Sequence, residues 1–262
     1  MLQQLISMKY WLKMEKLTAI IPTGNEEHNI VAAIKSVDFA NEIMVVDSFS
    51  TDQTIALATP LATTILQRKY ENSSSQKNWA IPQAKHKWIL LLDADERVTH
   101  ELKEEVQKTI NSNTEFSGFW IKRQNHFMGK KVHFSGWQGD KVIRLFKRDE
   151  CQYENKHVHA EIISSGKIGI LKNTLMHNTF FSKEAYLEKI EKYAKWQAKD
   201  YDKKVGNITY FHTIFKPIVR FIKHYIIQLG ILDGYVGFII SSYQAKAVAM
   251  RYKYLKQYRD AN

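Results

Sequence analysis

Two aspartates separated by one residue, Asp93-Ala94-Asp95, follow the most apolar stretch of the chain, Trp88–Leu92. Their carboxylates can share one small divalent cation, or one can hold a ribose hydroxyl while the other binds the metal. Mg²⁺ commonly takes one or two protein carboxylates and completes its coordination with water and phosphate oxygens. The pair therefore predicts a Mg²⁺ or Mn²⁺ site at which the charge of a departing diphosphate would be neutralised.

An Asp-x-Asp pair is weak evidence by itself, because such residues often form only a turn or a helix cap. Polar residues also follow two earlier apolar runs, as Thr23–Glu27 and as Asp47–Asp52. Ligands of open α/β sheets bind at the carboxyl ends of the strands. Three strand ends that carry acidic and amide groups therefore predict a ligand site along one edge of a sheet.

The elements that must position these groups alternate between two periods. Ile30, Ile34 and Val37 share one helical face, and Thr99 can cap a helix that continues to about Ile110. Near-continuous runs of β-branched residues and leucine suit strands that are covered on both faces. The alternation predicts a doubly wound α/β fold with a mostly parallel central sheet. The apolar runs are 17–21, 42–47, 62–66 and 88–93.

The C-terminal part of the chain has a different pattern. A helix is predicted over 183–204, and two further helices are separated by a turn at 230–234. A basic stripe beside a broad apolar face indicates a helix that lies on a membrane, whereas the alternative is a helix packed on the domain with its basic face solvated. We expect an N-terminal extension (1–16), a main domain (17–205) and an amphipathic, membrane-associating helical region (206–262). The stripe consists of Lys216, Arg220, Lys223 and His224.

The chain carries a formal net charge of +11, which favours nucleic acid, nucleotide phosphates or an anionic membrane face as partner. Acidic strand ends would repel a nucleic-acid backbone, so no nucleic-acid partner is expected. The first 16 residues lack the apolar core of a signal peptide, and no segment reaches the roughly 18 apolar residues of a membrane span. We expect a cytoplasmic protein, peripheral on the inner face of the cytoplasmic membrane.

Phosphate-binding glycine loops of the P-loop and dinucleotide types are absent from the sequence. The three strand-end segments instead resemble, in order and spacing, the family 2 glycosyltransferases of the GT-A fold. Further segments are similar to the branch of that family that extends the inner core of lipopolysaccharide or lipooligosaccharide. The resemblance covers roughly residues 17–258. Its segments are Ile20–Glu27, Val45–Asp52, Leu91–Glu96, Gly136-Trp137, Asp140, Arg144–Arg148, Val158-His159 and Gly230–Gly234.

The resemblance implies a nucleotide-sugar site on the three strand ends. Thr23, Asn25 and Glu26 would surround the base and the ribose. Asp47 would hydrogen-bond the base, and Lys77 occupies the basic position that usually faces the nucleotide. The family usually has an aromatic residue where this chain has a glycine before Asn25, so packing on the base side is expected to differ.

The resemblance also implies how the aspartate pair divides its work. Asp95 would bind the metal directly, while Asp93 would approach the ribose or the metal. His177 is a further candidate contact to the metal or the phosphate, with a packed structural histidine as the alternative.

For the acceptor side, the resemblance places the general base at Asp140, with a salt bridge to Lys141 or Arg144 as the structural alternative. An acceptor hydroxyl is a poor nucleophile, so a carboxylate must take its proton in the transition state. The family's His-Glu appears here as His159-Ala160-Glu161, and Glu161 is the second candidate base. Trp137 and Arg144 are candidate acceptor contacts, although core packing is the default for a tryptophan.

The resemblance thus implies an inverting, metal-dependent transferase that moves a sugar, a hexose from a UDP-sugar, onto a glycolipid such as lipopolysaccharide or lipooligosaccharide core. A polyprenyl-phosphate glycosyltransferase of the same fold is the close alternative. A sugar nucleotidyltransferase would need a glycine-rich basic loop where this chain has Asn25-Glu26-Glu27. A basic nucleic-acid or membrane-binding module is the non-enzymatic alternative, and it leaves the acidic strand ends without a purpose.

Overall fold

The computed structural model describes residues 14–155, 160–180 and 182–261. The chain packs as two compact units, one formed by the residues up to Arg123 with Lys141–His177, the other by Gln124–Asp140 with the residues from Asn178 onward. Most of the predicted N-terminal extension lies outside the described residues. The predicted boundary between 205 and 206 falls inside the second unit.

The first unit is built on a sheet whose first four strands are parallel. These strands lie side by side in the order β3-β2-β1-β4, and helices connect them. The predicted α/β fold is confirmed. The elements are β1 (Leu17–Thr23), α1 (Ile30–Ser36), β2 (Glu42–Asp47), α2 (Thr54–Ala58), β3 (Thr64–Gln67), α3 (Ser73–Ala80) and β4 (Trp88–Leu91).

Beyond β4 the sheet continues with antiparallel pairings, in the order β4-β8-β6-β11-β5, so the complete sheet is mixed. Strands β9 and β10 form a separate antiparallel pair. Short β5, which directly follows the aspartate pair, is absent from the sequence prediction. These elements are β5 (Glu96–Val98), α4 (His100–Ile110), β6 (Gly118–Phe127), β7 (Lys130–Lys131), β8 (Lys141–Lys147), β9 (Cys151–Tyr153), β10 (Ile162–Ser164) and β11 (Ile168–Phe180).

The continuous apolar strands are explained by two hydrophobic clusters, one on each side of the parallel strands. Side chains alternate across a strand, so Leu90 and Leu92 enter one cluster while Ile89 and Leu91 enter the other. All four are fully buried. The apolar run ends where the strand leaves the two clusters, and therefore the polar loops begin along one edge of the sheet.

The second unit is mainly helical. Its core joins Phe127 to Tyr186 and Ile240. The predicted helices near 183–204 and 235–258 are confirmed. They are α5 (Lys183–Asp202) and α7 (Gly234–Asp260), and between them lies α6 (Lys216–Ile222) with π-helical turns at Phe211–Phe215 and Lys223–Ile227.

The basic stripe of the C-terminal region faces largely inward. His224 is only 8% exposed, and its Nδ1 donates to the Ser135 carbonyl oxygen at 2.9 Å. Lys216 Nζ donates to the Tyr252 hydroxyl at 2.9 Å. The alternative in which the whole basic stripe is solvated does not hold for His224, because its ring packs inside the second unit.

None of the described helices is by itself long and apolar enough to cross a membrane. The segments Phe211–Ile227 and Gly230–Asp260, which meet at a bend of 71°, meet the length and composition requirements only as a pair.

The start of α7 leaves no room for a side chain at Gly237. A Cβ built there would lie 1.8 Å from the Gly230 carbonyl oxygen and 3.0 Å from the Asp233 Cβ. We predict that Gly237→Ala lowers the free energy of unfolding by about 1–3 kcal/mol, because backbone must move to accept the methyl group. Gly206→Ala is the control, since a Cβ at Gly206 meets no atom within 4 Å. Equal urea midpoints for the two variants would contradict the prediction.

Candidate functional site

The loops after β1 and β2 begin side by side, because Thr23 and Asp47 are register partners. The Asn25 backbone N–H donates to Ser50 Oγ at 2.8 Å, and Asn25 Oδ1 accepts from the Thr51 N–H at 2.8 Å. Asn25 has φ of 55°, a conformation that asparagine adopts more readily than most residues. The two loops are therefore hydrogen-bonded to each other at the carboxyl edge of the sheet, and we call them together the ledge.

Asp47 is fully buried beneath this ledge. Its Oδ2 accepts from the Ser50 N–H at 3.0 Å and from Gln67 Nε2 at 3.0 Å. These bonds hold the loop in place. The expected contact between Asp47 and a nucleotide base stays a prediction, since the carboxylate serves its own loop in this structure.

The buried carboxylate of Glu96 is the centre of a cluster of charged side chains next to the aspartate pair. It is fully buried and receives both Nε and Nη2 of Arg144, at 2.9 and 2.8 Å. Arg123 Nη1 lies 3.2 Å from Glu96 Oε1, and the Asp93 N–H donates to Oε2 at 3.0 Å. A buried ionised carboxylate needs such partners, because desolvation without them is costly. Glu96 is part of the Leu91–Glu96 segment, but its role as partner of Arg144 becomes visible only in the structure.

Asp93 is held by two cations. Lys77 Nζ lies 2.9 Å from its Oδ1, and Arg144 pairs with its Oδ2. Burial by itself would favour the neutral acid, but Arg144 and Lys77 hold the pKa of Asp93 well below its usual range. Lys77 also lies over the Tyr153 ring, 5.2 Å from its centroid. Asp93 is therefore an ionised hydrogen-bond acceptor whose charge is already largely compensated.

Asp95 has a different neighbour. Pairing of β11 with β5 sets His177 opposite Glu96, and His177 Nε2 lies 3.3 Å from Asp95 Oδ2. Burial raises the pKa of Glu26, and the nearby negative charge of Asp95 adds to that shift. Arg97 interacts electrostatically with both of these carboxylates, so it compensates part of their negative charge, and a divalent cation would compensate more of it. The predictions that Asp95 binds a metal and that His177 is a further contact to it stay predictions, and the structure places the two side chains next to each other.

The side chains around Asp95 suit a cation that takes part of its coordination shell from a substrate. Within the described residues, no group of three or more His, Cys, Asp or Glu side chains is arranged to hold a metal. Asp95 and His177 would supply two ligands, and phosphate oxygens and water the others. That incomplete protein shell is typical of Mg²⁺ at phosphate sites.

A cleft of about 300 Å³ opens beside Asp93 within the first unit. Four of its lining residues are cationic and two are acidic, and this excess of positive charge suits an anionic ligand such as a diphosphate. Glu161, the second candidate base, lines the same cleft and is exposed. Trp120 also lines it, with Lys141 Nζ 4.9 Å from the ring centroid. The cationic lining residues are Lys77, Arg123, Lys141 and Arg144.

Asp140 lies in the second unit. Its Oδ2 accepts from Asn125 Nδ2 at 2.9 Å, and Asn125 Oδ1 accepts from Thr179 Oγ1 at 3.3 Å. Asn125 is 3% exposed, so its amide is fixed by packing as well as by these bonds. It orients the Asp140 carboxylate, and nothing in the sequence pattern pointed to it.

The turn before α7 supports the loop that leads to Asp140. Asp233 accepts from the backbone N–H groups of His133 and Phe134, at 2.9 and 3.0 Å, and from Ser135 Oγ at 2.8 Å. The family-like segment Gly230–Gly234 therefore has a local structural role: its aspartate anchors a loop of the same unit.

The two candidate acceptor contacts are both packed against protein. Trp137 contacts Phe127 and Tyr186, with ring centroids 6.3 and 6.4 Å apart, which agrees with the core-packing alternative. Arg144 is 3% exposed and pairs with two carboxylates. Val158 and His159, which contributed to the resemblance, lie outside the described residues.

Comparison with known proteins gives a consistent family. Residues 18–172, more than half of the chain, match the family model for glycosyl transferase family 2. An uncharacterized glycosyltransferase of Rickettsia typhi is 28% identical over 256 residues, which cover 93% of this chain and 88% of that protein. The lipopolysaccharide core biosynthesis glycosyltransferase LpsC of Rhizobium meliloti is 26% identical over 216 residues, or 80% of each chain. The crystal structure of S. aureus TarS in complex with UDP aligns over 94% of this chain and 92% of that one, with 15% identity and a TM-score of 0.45.

The buried ion pair gives a stability prediction. We expect Arg144→Met to lower the free energy of unfolding by about 3–5 kcal/mol, because Glu96 would remain buried without its main countercharge. The matched control is Lys167→Met, whose partner Glu115 is exposed, and it should leave stability unchanged. Denaturant unfolding monitored by circular dichroism measures both, and similar midpoints would contradict the structural role of Arg144.

Proposed function

Because the chain belongs to glycosyl transferase family 2 and has a GT-A-like α/β fold, we propose that it is an inverting, metal-dependent transferase that moves a hexose from a UDP-sugar to a glycolipid acceptor. The observation that carries this proposal is that the two aspartates of the pair, Asp93 and Asp95, have different partners. Lys77 and Arg144 pair with Asp93, whereas Asp95 lies beside His177. Such an arrangement supports the binding of a nucleotide diphosphate together with a cation.

On the donor side, we assign the ribose to Asp93 and the base to the ledge that Thr23 and Asn25 begin. An ionised carboxylate is a strong acceptor for sugar hydroxyls. Thr23 Oγ1 is buried and has no hydrogen-bond partner in the part of the chain that the structure describes, which suits a polar group of the ligand. Lys77 and the other cations of the cleft would face the diphosphate.

Asp95 and His177 would hold the divalent cation, Mg²⁺ or Mn²⁺. When bound, the cation neutralises the charge that develops on the leaving diphosphate. Lys77 and Arg144 already stand at this edge with fixed positions, so they stabilise the same charge without reorganising during the reaction.

We assign the general base to Asp140, which takes the proton of the acceptor hydroxyl as the hydroxyl attacks the anomeric carbon. Asn125 fixes the orientation of this carboxylate through the bond at 2.9 Å. Attack from the side opposite the departing diphosphate inverts the anomeric carbon. Glu161 is the competing base, and its exposed side chain lines the same cleft as Asp93 and Lys77.

The glycolipid acceptor is supported by similarity to LpsC, whose name places it in lipopolysaccharide core biosynthesis. A relative that shares 26% identity over four fifths of the chain makes a lipid-linked saccharide the acceptor class to test first. Such an acceptor would require the enzyme to work at the inner face of the cytoplasmic membrane.

Thermal shift with nucleotide sugars tests the donor site. We predict that a UDP-sugar with Mn²⁺ or Mg²⁺ raises the Tm of the wild type, since ligand that binds only the folded state stabilises it. Asp95→Asn should lose the part of the shift that requires metal and keep the part that the nucleotide alone produces. Asp38→Asn, at an exposed carboxylate that pairs with Lys103, should behave as the wild type. A wild type that no nucleotide sugar stabilises with either metal would refute the proposed function.

The identity of the base is tested by two isosteric variants. We predict that Asp140→Asn keeps the donor-induced thermal shift but lowers kcat for transfer by roughly 10²- to 10⁴-fold, because only proton removal is lost. Glu161→Gln should keep most of the transfer rate. The transfer rates of both variants are measured with a purified glycolipid acceptor, and UDP release is the readout. The reverse pattern would assign the base to Glu161.

A further inference from the structure

One surface of the second unit exposes far more apolar side chain than the rest of the chain. Among the described residues, 14 of the 24 exposed large hydrophobic residues fall between Tyr210 and Phe238. We call these 14 residues the apolar surface. They include Ile218, Ile222, Ile226, Ile227 and Leu232.

The orientation of α6 explains why these side chains are exposed. Lys216 and His224 bond to groups inside the second unit, and Arg220 is half-buried on the same face. Residues four apart share one face of a helix, so Ile218 and Ile222 lie opposite that basic stripe. The helix thus directs polar groups inward and aliphatic groups outward. This is the reverse of a helix on the surface of a water-soluble protein.

The area of the apolar surface exceeds that of the apolar patches that soluble proteins normally expose to water. Its members are 45–83% exposed. Taken together they present on the order of 1,000 Å² of apolar area, whereas a soluble monomer usually shows a largest patch of a few hundred Å². A surface of this size requires an apolar partner.

The charges around the apolar surface favour one kind of partner. No acidic residue occurs between Asp202 and Asp233. The Asp233 carboxylate is itself occupied by the loop at His133–Ser135. Lys223 and the pair Lys203-Lys204 are exposed near the apolar groups in sequence. Apolar side chains accompanied by unopposed cations match a bilayer that carries anionic headgroups.

A second copy of the chain fits this surface less well. Dimers with twofold symmetry bring the same patch of both subunits together. Such an arrangement would set cationic residues of one copy against those of the other, with no carboxylate between Asp202 and Asp233 to compensate them. Lipid headgroups, in contrast, supply the missing negative charge.

We infer that the apolar surface inserts into the interfacial layer of an anionic bilayer and anchors the enzyme there by burial of aliphatic side chains, with the cations as a secondary attraction. The same turn, Gly230–Asp233, holds the loop that leads to Asp140. The inserted element and the proposed base are thus connected within one unit. The inference deepens the proposed function, since a glycolipid acceptor resides in that layer.

Vesicle flotation of the full-length protein tests the inference. The variant is Ile226→Ser/Ile227→Ser/Leu232→Ser, which places three polar groups at the bend of the apolar surface. Wild type should float with phosphatidylcholine vesicles that contain phosphatidylglycerol, and the variant's partition coefficient should fall on the order of a hundredfold. Wild-type binding should weaken only partly at high salt, because hydrophobic burial is not screened. Unchanged flotation of the variant, or complete loss of wild-type binding at high salt, would overturn the inference.

A matched control carries the same chemical change at exposed apolar residues of the first unit, as Leu57→Ser/Ile163→Ser/Ile170→Ser. This control should float as the wild type does. Sedimentation equilibrium without lipid checks the competing occupant. A wild-type dimer that the first variant dissociates, together with absence of flotation, would assign the surface to a second copy.

A labelled cysteine reports insertion directly. Ile227 is 72% exposed, whereas the natural Cys151 is buried, so a thiol-reactive fluorophore will prefer Ile227→Cys. We expect a blue shift on addition of anionic vesicles, and none from a label at Ile170→Cys. A shift of equal size at both positions would overturn insertion at the bend. The donor-induced thermal shift is measured without vesicles, so failure of the membrane inference and failure of the proposed function are distinguishable.

Discussion

The burial of Glu96 is the constraint on which the polar edge of the first unit depends. An ionised carboxylate without water must be met by cations, and Arg144 meets it with two nitrogens. The same guanidinium pairs with Asp93, which in turn holds Lys77. One buried charge therefore fixes the positions of three functional side chains, and an edge arranged in advance stabilises developing charge with little reorganisation.

The two units use polar groups in opposite ways. In the first unit, apolar strands fill the interior and charged side chains gather where the strands end. In the second unit, the stripe that begins at Lys216 bonds inward, and the Asp233 carboxylate ties the turn before α7 to a loop. The aliphatic side chains on the opposite face of α6, such as Ile218 and Ile222, are exposed. Both arrangements provide partners for buried polar groups, although within the described residues Arg220 Nε and His224 Nε2 are buried without a hydrogen-bond partner.

Much of the first unit was predictable because its strands carry a strong local signal. A run such as Ile89–Leu92 is apolar at every position only when both faces of the strand are covered, so a parallel sheet with helices on both sides follows from it. The ledge at Asn25 and the pair around Asp95 could be placed on one edge for the same reason. Local chemistry was also sufficient for Thr99, whose side chain caps α4 by accepting from the Leu102 N–H.

By itself, the sequence determined the element types, the polar strand ends and the resemblance to a family, because these depend on residue types within a few positions. Only the tertiary structure decided that β11 pairs with β5 and brings His177 to Asp95, 82 residues away. It alone decided that Asn125 holds Asp140, and that α6 turns its apolar face outward. Periodicity defines the two faces of a helix, but packing against the rest of the chain chooses which face is buried.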